Sequence, residues 1–248
     1  MSATSGRFVW RELVTPALEQ SRSFYTDLFG WKVTNMDMGG APYTVYAQGD
    51  AQVAGMMAPT MAGVPPFWLD YITVDDVDVS RAQVIGLGGT AVTEALDIPN
   101  MGRFAVVRDP AGAMFALFSS LTPGASGDGA AAVGTFCWSM LMTTDLDRVA
   151  PFYAALFGWE PKMLGNMVVF GRNGRDVSSA MTAQMGMASH WLPYVAVDDC
   201  DAVADRARGL GATQYVAPTD MPGMGRFAVL ADPGGAVVAL WKDAGARS

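Results

Sequence analysis

Two residues of this 248-residue chain have side chains suited to proton transfer and lie in apolar surroundings. Glu12 stands inside the apolar segment Phe8–Val14, and His190, the single histidine, begins another apolar segment. An acid removed from water holds its proton more tightly, and an imidazole gains and loses a proton close to neutral pH. Both residues are therefore candidate general acids or bases. One alternative is that Glu12 lies on the other face of its strand, or pairs with Arg11 or Arg103. For His190 the alternative is a structural role.

Composition excludes several classes of function. The net charge is −8, and the few basic residues are scattered, which argues against a nucleic-acid partner. The two cysteines, Cys137 and Cys200, are expected to be small buried side chains in a reducing compartment rather than a disulfide pair. The first residues lack the apolar region of a signal peptide, and no apolar run approaches the roughly 18 residues of a membrane span. We therefore expect a cytoplasmic protein with no membrane partner.

The elements that position these side chains are encoded twice. Phe8–Trp31 returns 128 residues later as Phe136–Trp159 with 11 of 24 positions identical. Ile98–Phe118 returns 123 residues later as Met221–Trp241 with 13 of 21 identical. A repeat this long indicates duplicated domains, because solenoid units run to about 20 to 50 residues. We expect two cores, with an N-terminal domain at 1–121, a Gly-rich and Ala-rich linker at 122–134 and a C-terminal domain at 135–248.

Each copy reads as a strand, a helix and three strands, repeated once. Phe8–Val14 has the aromatic content of a strand, and Ala17–Phe29 carries apolar residues at helical spacing. In the second copy Asp145 is placed as a helix N-cap and Gly158 as the stop. Further strands and Asp-capped helices follow. Both copies end on a hairpin with an Asp-Pro-x-Gly turn, which begins at Asp109 in the first copy.

Three motif pairs give the chain a specific resemblance. They are FYTDLFGW with FYAALFGW, VDDVD with VDDCD, and GRFAVVRDPAGA with GRFAVLADPGGA, and they cover nearly all of both copies. In their order and spacing they resemble the glyoxalase, bleomycin-resistance and extradiol-dioxygenase proteins of the vicinal oxygen chelate (VOC) superfamily, in particular its two-domain actinobacterial members. The resemblance implies an α+β fold: tandem VOC domains, each built from two βαβββ modules that form a half-open curled sheet with a concave cavity.

The metal ligands of that superfamily are missing at the matching positions. The resemblance places them at Trp10 and Trp138, at Leu69 and Leu192, and at Ala116 and Ala239. These side chains offer no nitrogen or oxygen donor, and one histidine cannot supply a cluster elsewhere. We therefore expect a protein that works with neither a metal nor another cofactor.

An apolar and aromatic lining replaces the metal in this interpretation. Residues two apart on a strand share a face, so the positions near the former ligands define a predicted binding surface. Its expected members are Trp10, Phe67, Leu69 and Tyr71 in the first copy and Trp138, Met140, Leu192 and Tyr194 in the second. Tyr71 and Tyr194 stand at the same position of the two copies, so packing is the alternative role for them.

Two functions fit these observations. In the first, the protein is a tailoring enzyme of natural-product synthesis that binds an aromatic or polyketide-like molecule. It would cyclise, dehydrate or isomerise this molecule through Glu12 and His190. In the second, it sequesters a hydrophobic drug as bleomycin-resistance proteins do. The two copies differ at two matched positions among the candidate residues, where Glu12 corresponds to Met140 and Phe67 corresponds to His190. This difference favours an enzyme with one specialised copy. We expect it to act as a monomer or homodimer.

Overall fold

The computed structural model describes residues 5–36, 43–122 and 131–245, so residues 123–130 of the expected linker lie outside the described residues. Within these ranges the chain forms four helices, with two in each copy. The helices are Leu18–Phe29 (α1), Val77–Gly86 (α2), Leu146–Phe157 (α3) and Cys200–Gly209 (α4). None of these described helices is long and apolar enough to cross a membrane.

Strands account for most of the remaining described chain. The first copy contains Phe8–Val14 (β1), Lys32–Met36 (β2), Tyr43–Gln48 (β3), Ala51–Met57 (β4), Phe67–Thr73 (β5), Thr90–Ala91 (β6), Leu96–Ile98 (β7), Gly102–Arg108 (β8) and Met114–Ser120 (β9). The second copy contains Phe136–Thr143 (β10), Glu160–Leu164 (β11), Met167–Arg172 (β12), Arg175–Thr182 (β13), His190–Ala196 (β14), Thr213–Met221 (β15), Gly225–Ala231 (β16) and Val237–Asp243 (β17).

The predicted helix ends are confirmed. Asp145 accepts a hydrogen bond from the Arg148 backbone N–H at 3.1 Å, and Asp76 and Asp199 cap α2 and α4 in the same way. Each cap satisfies a backbone donor that the first helical turn leaves without an intrahelical partner. Gly158 ends α3 at φ 67°, a left-handed conformation that glycine adopts without strain.

The chain packs as two compact units that do not follow the two copies. Unit 1 comprises the described parts of Met1–Trp10, Leu69–Asp128 and Ser139–Trp191. Its strand orders are β5-β9-β8-β6, with β7 also paired to β8, and β11-β12-β13-β10. Unit 2 comprises the described parts of Arg11–Trp68, Gly129–Trp138 and Leu192–Ser248, with orders β2-β3-β4-β1 and β14-β17-β16-β15. Each unit therefore combines one βαβββ module from each copy.

The hydrophobic cores show the same exchange. The core of unit 2 contains Phe24 and Tyr25 of α1 together with Val203 and Ala207 of α4. In unit 1 the core contains Val84 of α2 and the aromatic face of α3. The sequence predicts two cores, and the structure has two, but each draws on both copies. The boundaries at 121 and 135 therefore mark the ends of the repeated copies. As domain boundaries they remain a prediction.

A buried hydrogen-bond chain joins the two modules of each unit. In unit 1 the Trp191 indole donates to the Tyr153 hydroxyl at 3.1 Å, and Tyr153 donates to Asp109 Oδ2 at 3.0 Å. In unit 2 Trp68 donates to the Tyr25 hydroxyl at 3.2 Å, while Ser21 donates to Asp232 at 2.9 Å. The FYxxLFGW helix and the Asp-Pro turn, which the sequence repeats, are thus contact partners.

Both cysteines are free thiols, as expected. Cys200 is buried as the first residue of α4, and Cys137 is half-buried on β10.

Candidate functional site

Glu12 lies on the face of β1 that is turned away from the core. Its neighbour Leu13 is in the core of unit 2. Because successive strand residues point to opposite faces, Glu12 is on the other side, where it pairs in register with Gly55 of β4. Val45 of β3 continues this row. Glu12 therefore lies on the strand face opposite Leu13, and its side chain is only 5% exposed.

The corresponding row of the second copy has a different chemistry. Met140 of β10 pairs with Ser179 of β13, and Val169 of β12 follows. Leu141 lies in the core of unit 1, so Met140 also faces away from the core. The carboxyl of Glu12 beside Gly55 in the first copy thus corresponds to the thioether of Met140 beside Ser179 in the second copy.

A row of aromatic side chains lies on the face of β5, β8 and β9 that is turned away from the core of unit 1. Tyr71 pairs in register with Ala116, one of the positions where the superfamily would carry a metal ligand. The Tyr71 ring is 5.9 Å from the Phe104 ring and 6.3 Å from the Phe118 ring. Together with Ala116, these rings form an apolar row of the kind that lines sites for flat aromatic molecules.

The second copy repeats the aromatic row with larger rings. Tyr194 pairs with Ala239, and Phe227 pairs with Trp241. The Tyr194 and Trp241 rings are 6.4 Å apart in an edge-to-face arrangement. Burial raises the pKa of Tyr194, so its phenol stays protonated at neutral pH. This row is therefore an uncharged aromatic surface.

A thiol contacts the backbone of Tyr194 in this second row. Cys137 Sγ donates to the Tyr194 carbonyl at 3.4 Å. Burial raises the pKa of the thiol to about 12, so Cys137 is a protonated donor and not a nucleophile at neutral pH.

His190 begins β14 and is half-buried. Its Nδ1 lies 2.9 Å from the Ala188 carbonyl oxygen, and Trp191, the next residue, is in the core. His190 therefore faces away from the core with its ring held by a local contact. Phe67, its counterpart, begins β5 and is also half-buried.

The other predicted binding residues lie on the expected strands. Trp10 on β1 and Trp138 on β10 are half-buried, whereas Leu69 on β5 and Leu192 on β14 are buried. Asp70 lies on the opposite face from Tyr71, as its position in the strand predicts.

The superfamily metal does not fit these residues. The matching positions carry tryptophan, leucine and alanine, and Ala116 and Ala239 sit in register with Tyr71 and Tyr194. Within residues 5–36, 43–122 and 131–245 no three His, Cys, Asp or Glu side chains come together as a metal-binding group. A divalent ion needs several converging nitrogen, oxygen or sulfur donors, and Glu12 supplies a single carboxyl.

Eight residues of these faces were not predicted from the sequence. They are Gly55, Val45, Phe104, Phe118, Ser179, Val169, Phe227 and Trp241. A signal for half of them was present, because the repeated hairpin motifs place Phe104 with Phe118 and Phe227 with Trp241 on either side of the Asp-Pro turns. Without the register of the strands, their face could not be assigned.

Comparison with known proteins agrees with the fold. Residues 7–117 match the model of the Glyoxalase/Bleomycin resistance protein/Dioxygenase superfamily, and residues 138–241 match that of a glyoxalase-like domain. The dioxygenase for 2,2',3-trihydroxybiphenyl from Sphingomonas wittichii has a similar structure. Its TM-score is 0.66 at 14% identity, over 97% of this chain and 91% of that chain. The Mn(II)-bound glyoxalase from Novosphingobium aromaticivorans gives 0.64 at 17% identity, over 96% and 82%. At these identities the likeness shows the fold alone.

Curated relatives match along the whole chain. CFP32 of Mycobacterium bovis, named as a candidate glyoxylase, is 35% identical over 95% of this chain and 94% of its own length. The anthracycline biosynthesis protein DnrV of Streptomyces peucetius is 32% identical over 93% and 91%. Together with the repeated βαβββ modules, these matches identify the chain as a member of the VOC superfamily with two such domains in tandem.

Proposed function

We propose that this protein is a tailoring enzyme that acts on a polycyclic aromatic natural product, of the anthracycline or a related polyketide class, through acid–base chemistry at Glu12. The reaction would be a cyclisation, dehydration or isomerisation, with His190 as a second candidate proton donor or acceptor. The relative named for anthracycline biosynthesis supports the substrate class. We expect the enzyme to act in the cytoplasm as a monomer or homodimer, without a metal.

The observation that carries this proposal is the contrast between Glu12 and Met140. Both lie at the same point of the repeat and face away from their cores, but Glu12 alone can hold or release a proton. A carboxyl that is 5% exposed costs folding free energy unless it is compensated, and methionine at the same place avoids this cost. A buried ionisable side chain that occurs in one copy at an otherwise matched position is a candidate for chemistry.

The neighbours of Glu12 are consistent with a reacting group. Gly55, its partner in register on β4, contributes no side chain beside the carboxyl. In this setting Glu12 could take a proton from an acidic carbon of the ligand or donate one to a leaving hydroxyl.

The experiment is turnover of a panel of anthracycline-type and related aromatic polyketides, followed by mass spectrometry and NMR of the product. We expect Glu12→Gln to lower kcat by about 100-fold or more, since a positioned acid or base contributes roughly 10² to 10⁴. Met140→Gln is the matched control, because it places the same amide at the same point of the other copy. His190→Ala tests the second candidate. Turnover equal to wild type in both Glu12→Gln and His190→Ala would contradict the assignment.

A sequestering protein is the second candidate, and the aromatic rows favour it. Tyr71 with Phe104 and Phe118 has a counterpart in Tyr194 with Phe227 and Trp241, so both copies keep a flat apolar surface while the carboxyl occurs in one. If the ligand is recovered unchanged from a stable complex and Glu12→Gln binds it as tightly as wild type does, the protein is a binder. A changed product mass, or an unchanged mass with an altered NMR spectrum, supports the enzyme.

A further inference from the structure

Three methionines lie side by side across three neighbouring strands of unit 1. Met142 of β10 pairs in register with Met181 of β13, and Met181 pairs in register with Met167 of β12. Residues that pair in register lie on one face of a sheet, and neighbouring strands are about 4.8 Å apart. The three thioethers therefore form a row, which we call the methionine row.

The methionine row lies outside the hydrophobic core. Each of its members is next in sequence to a residue of the core of unit 1, namely Leu141, Val168 or Ala180. Because side chains alternate across a strand, the methionines point to the opposite face. All three are half-buried, so the row is partly open to solvent.

The strands that carry the row are tied together where β10 and β13 end. The backbone N–H of Ala183, just after β13, donates to the Thr143 carbonyl at 2.7 Å. At the other end of the same loop, the Ser189 hydroxyl accepts from the Thr144 backbone N–H at 3.0 Å. Both contacts reach the end of β10, so the backbone next to the methionine row is held in place.

The first copy forms the same strand pairing without this row. Its matched residues are Val14, Met57 and Tyr43, and Val14 pairs with Met57 as Met142 pairs with Met181. One methionine is thus enough for the strands of this module to pair. The two additional thioethers of the second copy are not a requirement of the fold.

A group of thioethers has a distinct ligand chemistry. Soft sulfur ligands select Cu(I), whereas carboxylate, carbonyl and water oxygens suit magnesium and calcium ions. Methionine has three rotatable bonds, so side chains on adjacent strands can bring their sulfur atoms to one point. The net charge of −8 of the whole chain favours the approach of a cation.

We propose that the methionine row binds one soft monovalent cation, Cu(I), through the Sδ atoms of Met142, Met167 and Met181. The positions at which the superfamily carries metal ligands, such as Trp138 in this copy, supply no donor to it. The ion keeps its oxidation state when it binds. It takes no part in the acid–base chemistry proposed for Glu12, which belongs to unit 2.

The test titrates Ag(I), a redox-inert ion that also prefers soft ligands, into the full chain with ¹³C-labelled methionine methyl groups. Thiols would compete for Ag(I), so the titrated protein carries Cys137→Val and Cys200→Val. The first copy has valine at both matched positions, Val9 and Val77, so these substitutions suit the fold.

We expect the methyl signals of the methionine row to shift together in NMR and to saturate at one ion per chain. The exposed Met61 and Met185 are internal references and should not follow them. Equal shifts at these two residues would overturn the proposal, because Ag(I) would then bind any exposed thioether. Anaerobic Cu(I) should shift the same row signals, and a response to Ag(I) alone would overturn the assignment to Cu(I). Zn²⁺ should leave them in place, and equal shifts with Zn²⁺ would contradict a soft site.

Single substitutions test the ligands. Met167→Leu and Met181→Leu keep the size of the side chain and remove the sulfur, so the fold should tolerate them. Each should weaken Ag(I) binding at least about tenfold, since the loss of a group that merely supports a metal ligand already costs about 10- to 100-fold. Met61→Leu is the matched control and should leave the affinity unchanged.

Unchanged affinity in both Met167→Leu and Met181→Leu would overturn the proposal. Because Glu12 is not part of the methionine row, Glu12→Gln should bind Ag(I) as wild type does even if it abolishes turnover. The metal site and the proposed enzymatic function can therefore fail separately.

Discussion

Tyr153 donates a hydrogen bond to Oδ2 of Asp109 over 3.0 Å, and the two residues come from different copies of the repeat. The reciprocal relationship exists in unit 2, where the α1 residue Ser21 donates to Asp232 at 2.9 Å. The last hairpin of each copy thus holds the first helix of the other.

Removing this hydroxyl should weaken the fold. In Tyr153→Phe both Asp109 Oδ2 and the Trp191 indole lose a buried partner, so we expect a loss of about 1 to 3 kcal/mol in the free energy of unfolding. The measurement is urea denaturation monitored by circular dichroism. Tyr215→Phe is the matched control, because Tyr215 is 62% exposed, and it should stay within about 0.5 kcal/mol of wild type. Equal effects of the two substitutions would contradict a structural role for the hydroxyl.

Stability should depend on pH through Asp109 and Asp232. Burial is the main cause that raises the pKa of each carboxyl, so the folded chain binds these protons more tightly than the unfolded chain. Their contribution to stability is fully present below the ordinary aspartate pKa and is lost as pH rises through the raised value.

The double variant Asp109→Asn with Asp232→Asn tests this dependence. Its free energy of unfolding should improve relative to wild type as pH rises from about 4 to about 7, whatever its absolute stability, because asparagine does not ionise. The exposed Asp27, as Asp27→Asn, is the control. A constant difference between the double variant and wild type over this range would show that burial does not raise these two pKa values.

The two copies should not fold as independent chains. Residues 1–121 and 135–248 each contain only part of both cores, so either fragment alone leaves its helices without their packing partners. We expect separate fragments with little cooperative unfolding and a mixture that recovers the tertiary near-ultraviolet signal of the whole chain. A monomeric fragment with sharp thermal unfolding would contradict the shared cores.

Gly102 is required by a close approach of two strands. A Cβ at this position would lie 2.2 Å from the Ser119 carbonyl oxygen and 2.9 Å from the Phe118 ring. Gly102→Ala should therefore cost at least about 1 to 3 kcal/mol and disturb the aromatic row. Gly86→Ala is the control, since nothing lies within 4 Å of its Cβ and α2 would gain up to about 1 kcal/mol from the better helix former. Thermal unfolding of both variants tests this, and a stable Gly102→Ala protein would show that the strands can separate at no cost.

The native thiols should react slowly. Burial raises the pKa of Cys137 to about 12 and of Cys200 to about 11, so little thiolate exists at pH 8. We expect iodoacetamide to label the folded protein much more slowly than the unfolded one, with mass spectrometry counting two labels only after unfolding. Rapid labelling of Cys137 in the native state would mean that β10 exposes it.

Much of the module structure could be predicted from the sequence. Strand β1 begins and ends at the expected residues, Asp145 caps α3 as predicted, and the other expected Asp caps are Asp76 and Asp199. These features depend on local periodicity and on side chains that satisfy nearby backbone groups, so a single segment contains the information. The face of Glu12 could also be predicted, because strand alternation is local.

Other features could not be predicted because they depend on partners far along the chain. Strand β2 is mostly exposed and lacks an apolar alternation, so its range has no clear signal in the sequence. The pairing of Asp109 with Tyr153 joins residues 44 positions apart in different copies. The repeat shows that the FYxxLFGW helix and the Asp-Pro turn occur in each copy. It does not show whether the helix packs against the turn of its own copy or of the other copy, because both arrangements have the same sequence pattern.

Because each core contains modules from both copies, joining the copies in one chain changes how many molecules must meet before the cores can form. If each core needs one module from each copy, single copies could complete their cores only by dimerising, at a rate that depends on their concentration. Joining both copies in one chain makes this step intramolecular and fixes which copy pairs with which. A substitution such as a carboxyl at residue 12 then appears once per assembly rather than twice, so one face can acquire chemistry while the other keeps Met140 and its lower cost of burial.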